Sequence, residues 1–372
     1  MNPIDRIICV GGGPGGLYFA LLMKLAFPNS DIRVIERNGR DEMDGWGIFL
    51  HADTLQNLES ADWTSARQIR SLTTSWDTWF TYLRGSTVNV RAPGSAIHRK
   101  SLVNVLRTRC EQLGVKLQFE RGIDDMEMID DADLIVGSDG LRSFVRNCFQ
   151  DDFRARLRLH ACRYCWLATE RRFEGFGYIF KESPFGMFRV CAYPFDSTRS
   201  GWVVECADDV WRAAGLDRAT KQDTAKFCSA FFPEFLGNSR VLSNQASWNQ
   251  FGTVTCERWS RENVVLIGDA AHTVHFSTGS GLKLAIEDAI HLAATFQSLP
   301  DADVTAVLQA YEQRRRPEIE DYQRFSLRSL DWLQNCARYI DQHPFQFAQQ
   351  MMTAITRHAD DSAAPQTSRH AR

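Results

Sequence analysis

The chain holds 372 residues, 44% hydrophobic and 24% charged, proportions of an ordinary folded protein with one large or two compact units. A formal net charge of -3 supplies no basic footprint for nucleic acid, and Arg314, Arg315 and Arg316 read as a solvated helix face. The apolar runs at 7–10 and 264–267 fall far short of the ~20 residues that a membrane-spanning helix needs, and a strand-like run from Ile4 leaves no room for a signal peptide, so a cytoplasmic protein is expected.

In chain order, the first expected element is a strand over 6–10, followed by a glycine-rich turn, an apolar helix over 14–26 and a strand over 32–36. Strand, helix, strand with apolar strands predicts a parallel sheet. A helix over 100–112 and strands over 116–119 and 133–136 come next. Between about 157 and 205 the pattern changes to short aromatic and β-branched runs at 165–168, 178–180, 187–193 and 202–206, parted by polar turns. Such runs predict an antiparallel sheet, interrupted by a helix over 220–232. The α/β pattern then returns with a strand over 263–267, a helix over 280–296 and a long helix from Val304.

The expected fold class is α/β: a Rossmann-like nucleotide-binding domain interrupted by an antiparallel β-sheet substrate domain, with C-terminal helices. The boundaries expected are 1–80, 96–155 and 250–300 for the first domain, and 81–95 and 156–249 for the second. Residues 301–358 would form the terminal helices and 359–372 a disordered polar tail.

The strongest motif is Gly11-Gly12-Gly13-Pro14-Gly15-Gly16, a GxGxxG between strand and apolar helix. Gly11 makes the tight turn, Gly13 lets the backbone approach a pyrophosphate, and Gly16 permits close helix–strand packing. The helix N-terminus then offers N–H groups and a positive dipole end to the phosphates. Glu36 ends the second strand 20 residues after Gly16, where a carboxylate accepts hydrogen bonds from ribose hydroxyls. Two later strand-to-turn junctions carry an aspartate among small residues: Asp139-Gly140 after 133–138, and Gly268-Asp269-Ala270-Ala271-His272 after 265–267.

With Arg99 opening a helix, and Tyr311-Glu312 followed by Arg315-Arg316-Pro317, these motifs resemble the group A flavoprotein aromatic hydroxylases, the p-hydroxybenzoate hydroxylase-like family. The likeness spans nearly the whole chain. It implies FAD with its pyrophosphate on Gly11, Gly13, Gly15 and Gly16, and its adenosine ribose on Glu36, next to Arg37. Gly47, Arg99, Asp139, Gly268, Asp269, Gly281 and Leu282 would complete the cofactor site. It also implies transient NAD(P)H, as no second GxGxxG is present, and transfer of oxygen to an electron-rich ring through a 4a-hydroperoxyflavin. The partners implied are a small aromatic substrate and oxygen, in a monomer or homodimer. An FAD-dependent oxidoreductase that inserts no oxygen is the alternative.

The chain departs from the commonest family pattern where His275-Phe276-Ser277 replaces a Pro-Pro pair and Lys283 a frequent Asn. That departure is similar to the subgroup of salicylyl-CoA 5-hydroxylases, 2-aminobenzoyl-CoA monooxygenases and violacein-pathway hydroxylases. His275, on the loop that the family places beside the flavin, is the expected catalytic residue, since an ordinary imidazole exchanges protons near neutrality. Phe276, Trp46 between two glycines, and His51 are the other expected substrate contacts, with core packing as the plainer fate of Trp46. No metal is expected. The ten cysteines are too sparse for a disulfide scaffold, and Cys162 and Cys165 fall on opposite faces of a strand-like run, where packing is their expected role.

Overall fold

A computed structural model describes residues 4–42, 45–243 and 247–356; the expected tail at 359–372 lies outside the described residues. The chain opens with β1 (Arg6–Val10), α1 (Pro14–Ala26) and β2 (Asp31–Ile35). β1 is apolar and buried from Ile7 to Val10, the pattern of a parallel strand covered on both faces, whereas β2 leaves Asp31 and Arg33 half-buried between its buried Ile32 and Val34. After β3 (Gly47–Phe49), α2 (Ala52–Ala61) and α3 (Trp63–Ser71), two long strands follow, β4 (Thr73–Leu83) and β5 (Ser86–His98). Then come α4 (Arg99–Leu113), β6 (Lys116–Gln118), β7 (Leu134–Gly137), α5 (Phe144–Cys148) and α6 (Gln150–Phe153).

An antiparallel run of β8 (Ala155–Thr169), β9 (Phe176–Ser183), β10 (Gly186–Pro194) and β11 (Ser200–Ala207) leads to α7 (Asp208–Ala213), α8 (Lys221–Phe231) and α9 (Pro233–Leu236). The chain returns through β12 (Val241–Leu242), β13 (Trp248–Cys256), β14 (Ser260–Arg261) and β15 (Val264–Leu266). It ends in α10 (Gly281–Ser298), α11 (Val304–Gln334) and α12 (Pro344–Ile355).

Two sheets result. The first runs β14-β15-β7-β1-β2-β6 and is parallel except where β14 meets β15. Residues 15–23 of α1 are all buried, because the helix lies between this sheet and α10 and so is apolar nearly all round. The second sheet runs β12-β8-β11-β10-β9-β4-β5-β3, with β13 also on β8. It is antiparallel except for the β4–β9 pair.

The expected boundaries at 80/81, 95/96, 155/156 and 249/250 fall inside β4, β5, β8 and β13, so the second sheet takes in Thr73 to His98 and all of β13. These strands hid from sequence pattern because much of β4 and β5 is solvated: β5 alternates exposed and half-buried residues until Ser95, and polar threonines and serines break its apolar signal. The β4–β9 pairing sets Trp79 opposite Phe176, which matters for the site below.

Candidate active site

The loop from β1 to α1 shows why its glycines are where they are. Gly11 has φ +103, and a Cβ there would lie 2.5 Å from the Ser138 carbonyl oxygen. A Cβ on Gly16 would lie 2.2 Å from Ser138 Oγ and 2.5 Å from the Gly11 carbonyl, so helix and strands meet at glycine distance. Gly15 packs likewise on Ala285 of α10. Gly13 differs: nothing lies within 4 Å of its Cβ position, and as the N-cap of α1 it makes no side-chain cap. The first-turn N–H groups of α1 therefore face open space with a positive dipole end. Glu36, just past β2, turns back to accept from Gly12 N at 2.8 Å and Asn38 N at 2.9 Å, while Arg37 is exposed.

A second helix start without a side-chain cap belongs to α10, which packs on α1 through Gly15 and Ala285. Gly281 opens α10 with nothing within 4 Å of its Cβ position, its N-cap Ser280 makes no side-chain bond to the helix, and Leu282 follows in the first turn. Asp269 is open to solvent yet surrounded by protein. That crowding raises its carboxyl pKa, with His272 and Arg99 opposing. Arg99 also lies against Gly45, and its N–H binds the Trp46 carbonyl at 2.8 Å.

Asp139 accepts from Phe144 N at 2.6 Å, while its Oδ1 is buried without a partner. Arg146, nearly buried, ties the two aspartate turns together by donating to the Leu141 and Ala270 carbonyls at 2.6 and 3.0 Å. Behind the Gly268 turn, Asp288 accepts from Gly268 N at 2.8 Å and from Arg315 Nε at 2.9 Å, and pairs with His272 Nε2 at 2.7 Å.

The 275–279 loop reaches from this turn to the second sheet. His275 is fully buried. Its Nδ1 accepts from Ser277 N at 3.3 Å, which leaves the proton of a neutral ring on Nε2. That edge faces Cys162 Sγ at 3.9 Å and Glu205 at 4.0 Å, and Glu205 is itself paired with buried Arg189. Burial lowers the His275 pKa to about 4, against an opposing pull from Glu205. The expectation of proton exchange near neutrality is thus corrected: desolvation keeps this ring uncharged at pH 7. Because its folded pKa lies below the unfolded value, the unfolded chain takes up the proton first and stability falls as pH drops from about 6.5 towards 4. Histidine NMR between pH 5.5 and 8 is expected to show no titration of His275; a midpoint near 6.5 would contradict the burial argument.

Sequence spacing did not bring Cys162, Glu205 and His275 together; among the described residues they are the group with metal-ligand atoms mutually within 4.8 Å. Arg189 already supplies the countercharge of Glu205 there. Cys162 and Cys165 do point apart, into different apolar clusters.

The face of the second sheet beside this loop is aromatic. The Phe49 ring lies 5.7 Å from Trp76, 6.4 Å from Trp79, 5.9 Å from Phe176 and 4.9 Å from His51, and it touches the Gly279 Cβ position at 3.1 Å. Phe276 sits 4.9 Å from Tyr164. Trp46 takes the plainer fate, packed on Phe195 at 6.3 Å and edge-on to His98; Gly47 beside it leaves no room for a side chain, since a Cβ would meet Phe195 at 2.5 Å.

The chain matches the model of an FAD binding domain over residues 89–326. It is 33% identical to a salicyloyl-CoA 5-hydroxylase of a Streptomyces species, over 94% of this chain and 69% of that one. It is 34% identical to the 3-hydroxy-4-methyl-anthranilyl-[aryl-carrier protein] 5-monooxygenase of Streptosporangium sibiricum, over 88% of each. The chain belongs to the FAD-dependent aromatic hydroxylases. The hydroxylase also shares its fold with the tetrameric form of 2-methyl-3-hydroxypyridine-5-carboxylic acid oxygenase, at TM-score 0.76 and 21% identity, over 95% of this chain and 96% of that one.

FAD, when bound, supplies the redox chemistry and activates oxygen, and the residues of this hydroxylase fit it: two helix starts without side-chain caps, open space at the Gly13 and Gly281 Cβ positions, and a buried, unpartnered Asp139 oxygen leave polar groups for a ligand to pair. Trp76, Trp79, Phe49 and Phe176 were missed by sequence reading. Nothing local marks them, because they converge only through the β3–β5–β4–β9 pairing.

Proposed function

We propose that this hydroxylase inserts one oxygen atom into the ring of an aromatic acid held as a pantetheine thioester, with NAD(P)H reducing its FAD. The observation that carries the reading is that the relatives at 33% and 34% identity are both named for aromatic acyl groups on CoA or a carrier protein. The aromatic cluster of Phe49, Trp76, Trp79 and Phe176, beside the 275–279 loop, supports it as an apolar wall for the ring.

In this reading Gly11, Gly13, Gly15 and Gly16 receive the FAD pyrophosphate. Glu36, next to Arg37, takes the adenosine ribose and Asp269 the ribityl chain, while Gly281 and Leu282 present the N–H groups of α10. Arg99 acts as cation across from Asp269, Gly47 lets the chain pass Phe195, and the Asp139 turn serves both nucleotides. Phe276 shields the reacting ring from water, and His275 holds the loop in place rather than carrying protons. Arg154 and Arg156 share the single carboxylate of Glu257 at 3.1 and 3.2 Å on the surface, which leaves one of their two positive charges uncompensated by that residue. A reducing cytoplasm suits a chain whose ten cysteines are all free.

The test is aerobic NADH and NADPH oxidation by the FAD-loaded protein with a panel of aromatic acids, indoles and their CoA thioesters, reading product mass under labelled oxygen. A thioester that accelerates oxidation and gains one labelled atom is the expected result. A free acid or indole as the best substrate would overturn the thioester assignment, and oxidised product without label would point to dehydrogenation instead.

A further inference from the structure

His98, His275 and His343 each precede a helical segment and cap it by accepting a backbone N–H. His51 stands in the same position before α2 and makes no such bond. Its ring instead meets the Phe49 ring edge-on at 4.9 Å, and its Nε2 is buried without a hydrogen-bond partner. The indoles of Trp76 and Trp79 flank the same Phe49 ring, and their Nε1 atoms are likewise buried and unpartnered. A buried polar group left unpaired costs about 1–3 kcal/mol, so three around one phenyl ring call for a ligand that pairs them.

The direction of those bonds can be read. Burial lowers the His51 pKa and favours a neutral ring, with the backbone at Gly279 and Thr278 pulling weakly the other way. A neutral imidazole carries one N–H and one lone pair, so the unpartnered Nε2 can offer that lone pair to a ligand. Burial favours the neutral ring; Asp53 on α2 favours the charged one, and Lys283 on α10 opposes it. The indole N–H groups are donors only. An imidazole nitrogen and two indole donors, all unpartnered, thus lie around the Phe49 ring.

We propose that His51 is the catalytic base of this hydroxylase: its Nε2 receives the O–H of a ring hydroxyl on the substrate and takes its proton, while the Trp76 and Trp79 N–H groups pair with the substrate's oxygen acceptors. The O–H bond breaks, its electron pair stays on oxygen, and the new bond is Nε2–H. The anionic oxygen pushes charge into the ring, which makes ring carbons better nucleophiles towards an electrophilic oxygen atom. The Asp53 carboxylate on α2 favours the imidazolium that results. A ring amino group fits the same lone pair but keeps its protons, so it would bind without being activated. The inference rests on the hydroxylase reading for the step that follows deprotonation.

The experiment uses the FAD-loaded full chain and matched ligands: 2-, 3- and 4-hydroxybenzoyl-CoA, their methoxy and amino counterparts, and the free acids. Binding is read from the flavin absorbance, and the charge state from the ligand's own ultraviolet spectrum, between pH 6 and 9. The wild-type protein is expected to prefer at least one hydroxy ligand over its methyl ether by about tenfold or more, and to hold it as phenolate below the pKa of the free ligand. His51→Gln, which accepts a hydrogen bond but not a proton, should keep that preference, lose the phenolate spectrum and lower kcat with little change in KM. His51→Phe should lose the preference altogether, and unchanged FAD affinity in both variants separates these losses from misfolding.

Equal binding of hydroxy and methoxy rings, binding of no hydroxy ring, or a phenolate spectrum in His51→Phe would overturn the inference. Oxygen insertion into rings that lack a hydroxyl would overturn it while leaving the proposed reaction standing. Hydroxyl selection by His51 with no oxygen insertion in any ligand would support the base and sink the reaction.

Discussion

Replacing Gly13 by alanine is expected to leave the FAD-free fold intact and to weaken FAD binding by roughly 10- to 100-fold, the ~1.4–3 kcal/mol of an overpacked contact. Gly13 has φ -75 and ψ 173, a backbone that alanine adopts without strain. Nothing in the protein lies within 4 Å of the added methyl. Alanine is a poorer N-cap than glycine, but it also reduces the freedom of the unfolded chain, so the two effects offset to within about 1 kcal/mol.

Gly16→Ala should behave in the opposite way. Its methyl would press on the Gly11 carbonyl and Ser138 Oγ, which costs the apo-protein about 1–3 kcal/mol before any cofactor is added. Denaturant melts without FAD, paired with flavin fluorescence titrations, separate the two behaviours. A Gly13→Ala protein that binds FAD as tightly as wild type would mean that the open space at Gly13 is not where the pyrophosphate lies.

The second large effect is expected at Asp288. It is fully buried, and its oxygens hold the Gly268 N–H, His272 and Arg315. Arg315, expected on a solvated helix face, is instead equally buried, and it also reaches Glu287 at 2.9 Å and Glu318 at 2.5 Å, while Glu287 binds Lys283 and Asn57. Removing one member of a buried ion network strands its partners, so Asp288→Ala should cost about 3–5 kcal/mol of stability. FAD binding should fall with it, because the Gly268–Asp269 turn loses its anchor. Arg154→Ala, which breaks a surface pair at a side chain 60% exposed, should cost less than about 1 kcal/mol.

Burial alone would raise the Asp288 pKa, but the charges and hydrogen bonds of His272 and Arg315 outweigh it and hold the carboxyl at about 2. A carboxylate whose folded pKa lies below its unfolded value of about 3.9 stabilises fully above that value. Its contribution is then lost as pH falls from about 4 to about 2. Wild type should therefore lose more stability over that window than Asp288→Ala does. Equal acid sensitivity of the two proteins would count against the network.

The glycine loop, Glu36 and the two aspartate turns were legible in the sequence because their physics is local. A tight turn, a helix start and a strand end occupy consecutive residues, and each demands particular side chains at fixed spacing. The alternation of β1, α1 and β2 was readable for the same reason, almost to the residue.

What the sequence left open was decided by long-range pairing. Thr73 to His98 joined the second sheet because β4 lies parallel to β9, and only that pairing brings Trp79 beside Phe176 and sets Phe49 at the centre of the aromatic cluster. His275 looked like a proton carrier as a residue type. Burial against Phe251, Glu205 and Cys162, contributed by two sheet strands and a returning third, made it a neutral loop anchor. His51 looked minor in sequence, and folding left its Nε2 without a partner. Charge state and hydrogen-bond satisfaction depend on which distant strands come to surround a group, so the sequence by itself determined the cofactor and the family, while the tertiary structure decided which histidine is buried and neutral and which keeps an unpartnered nitrogen.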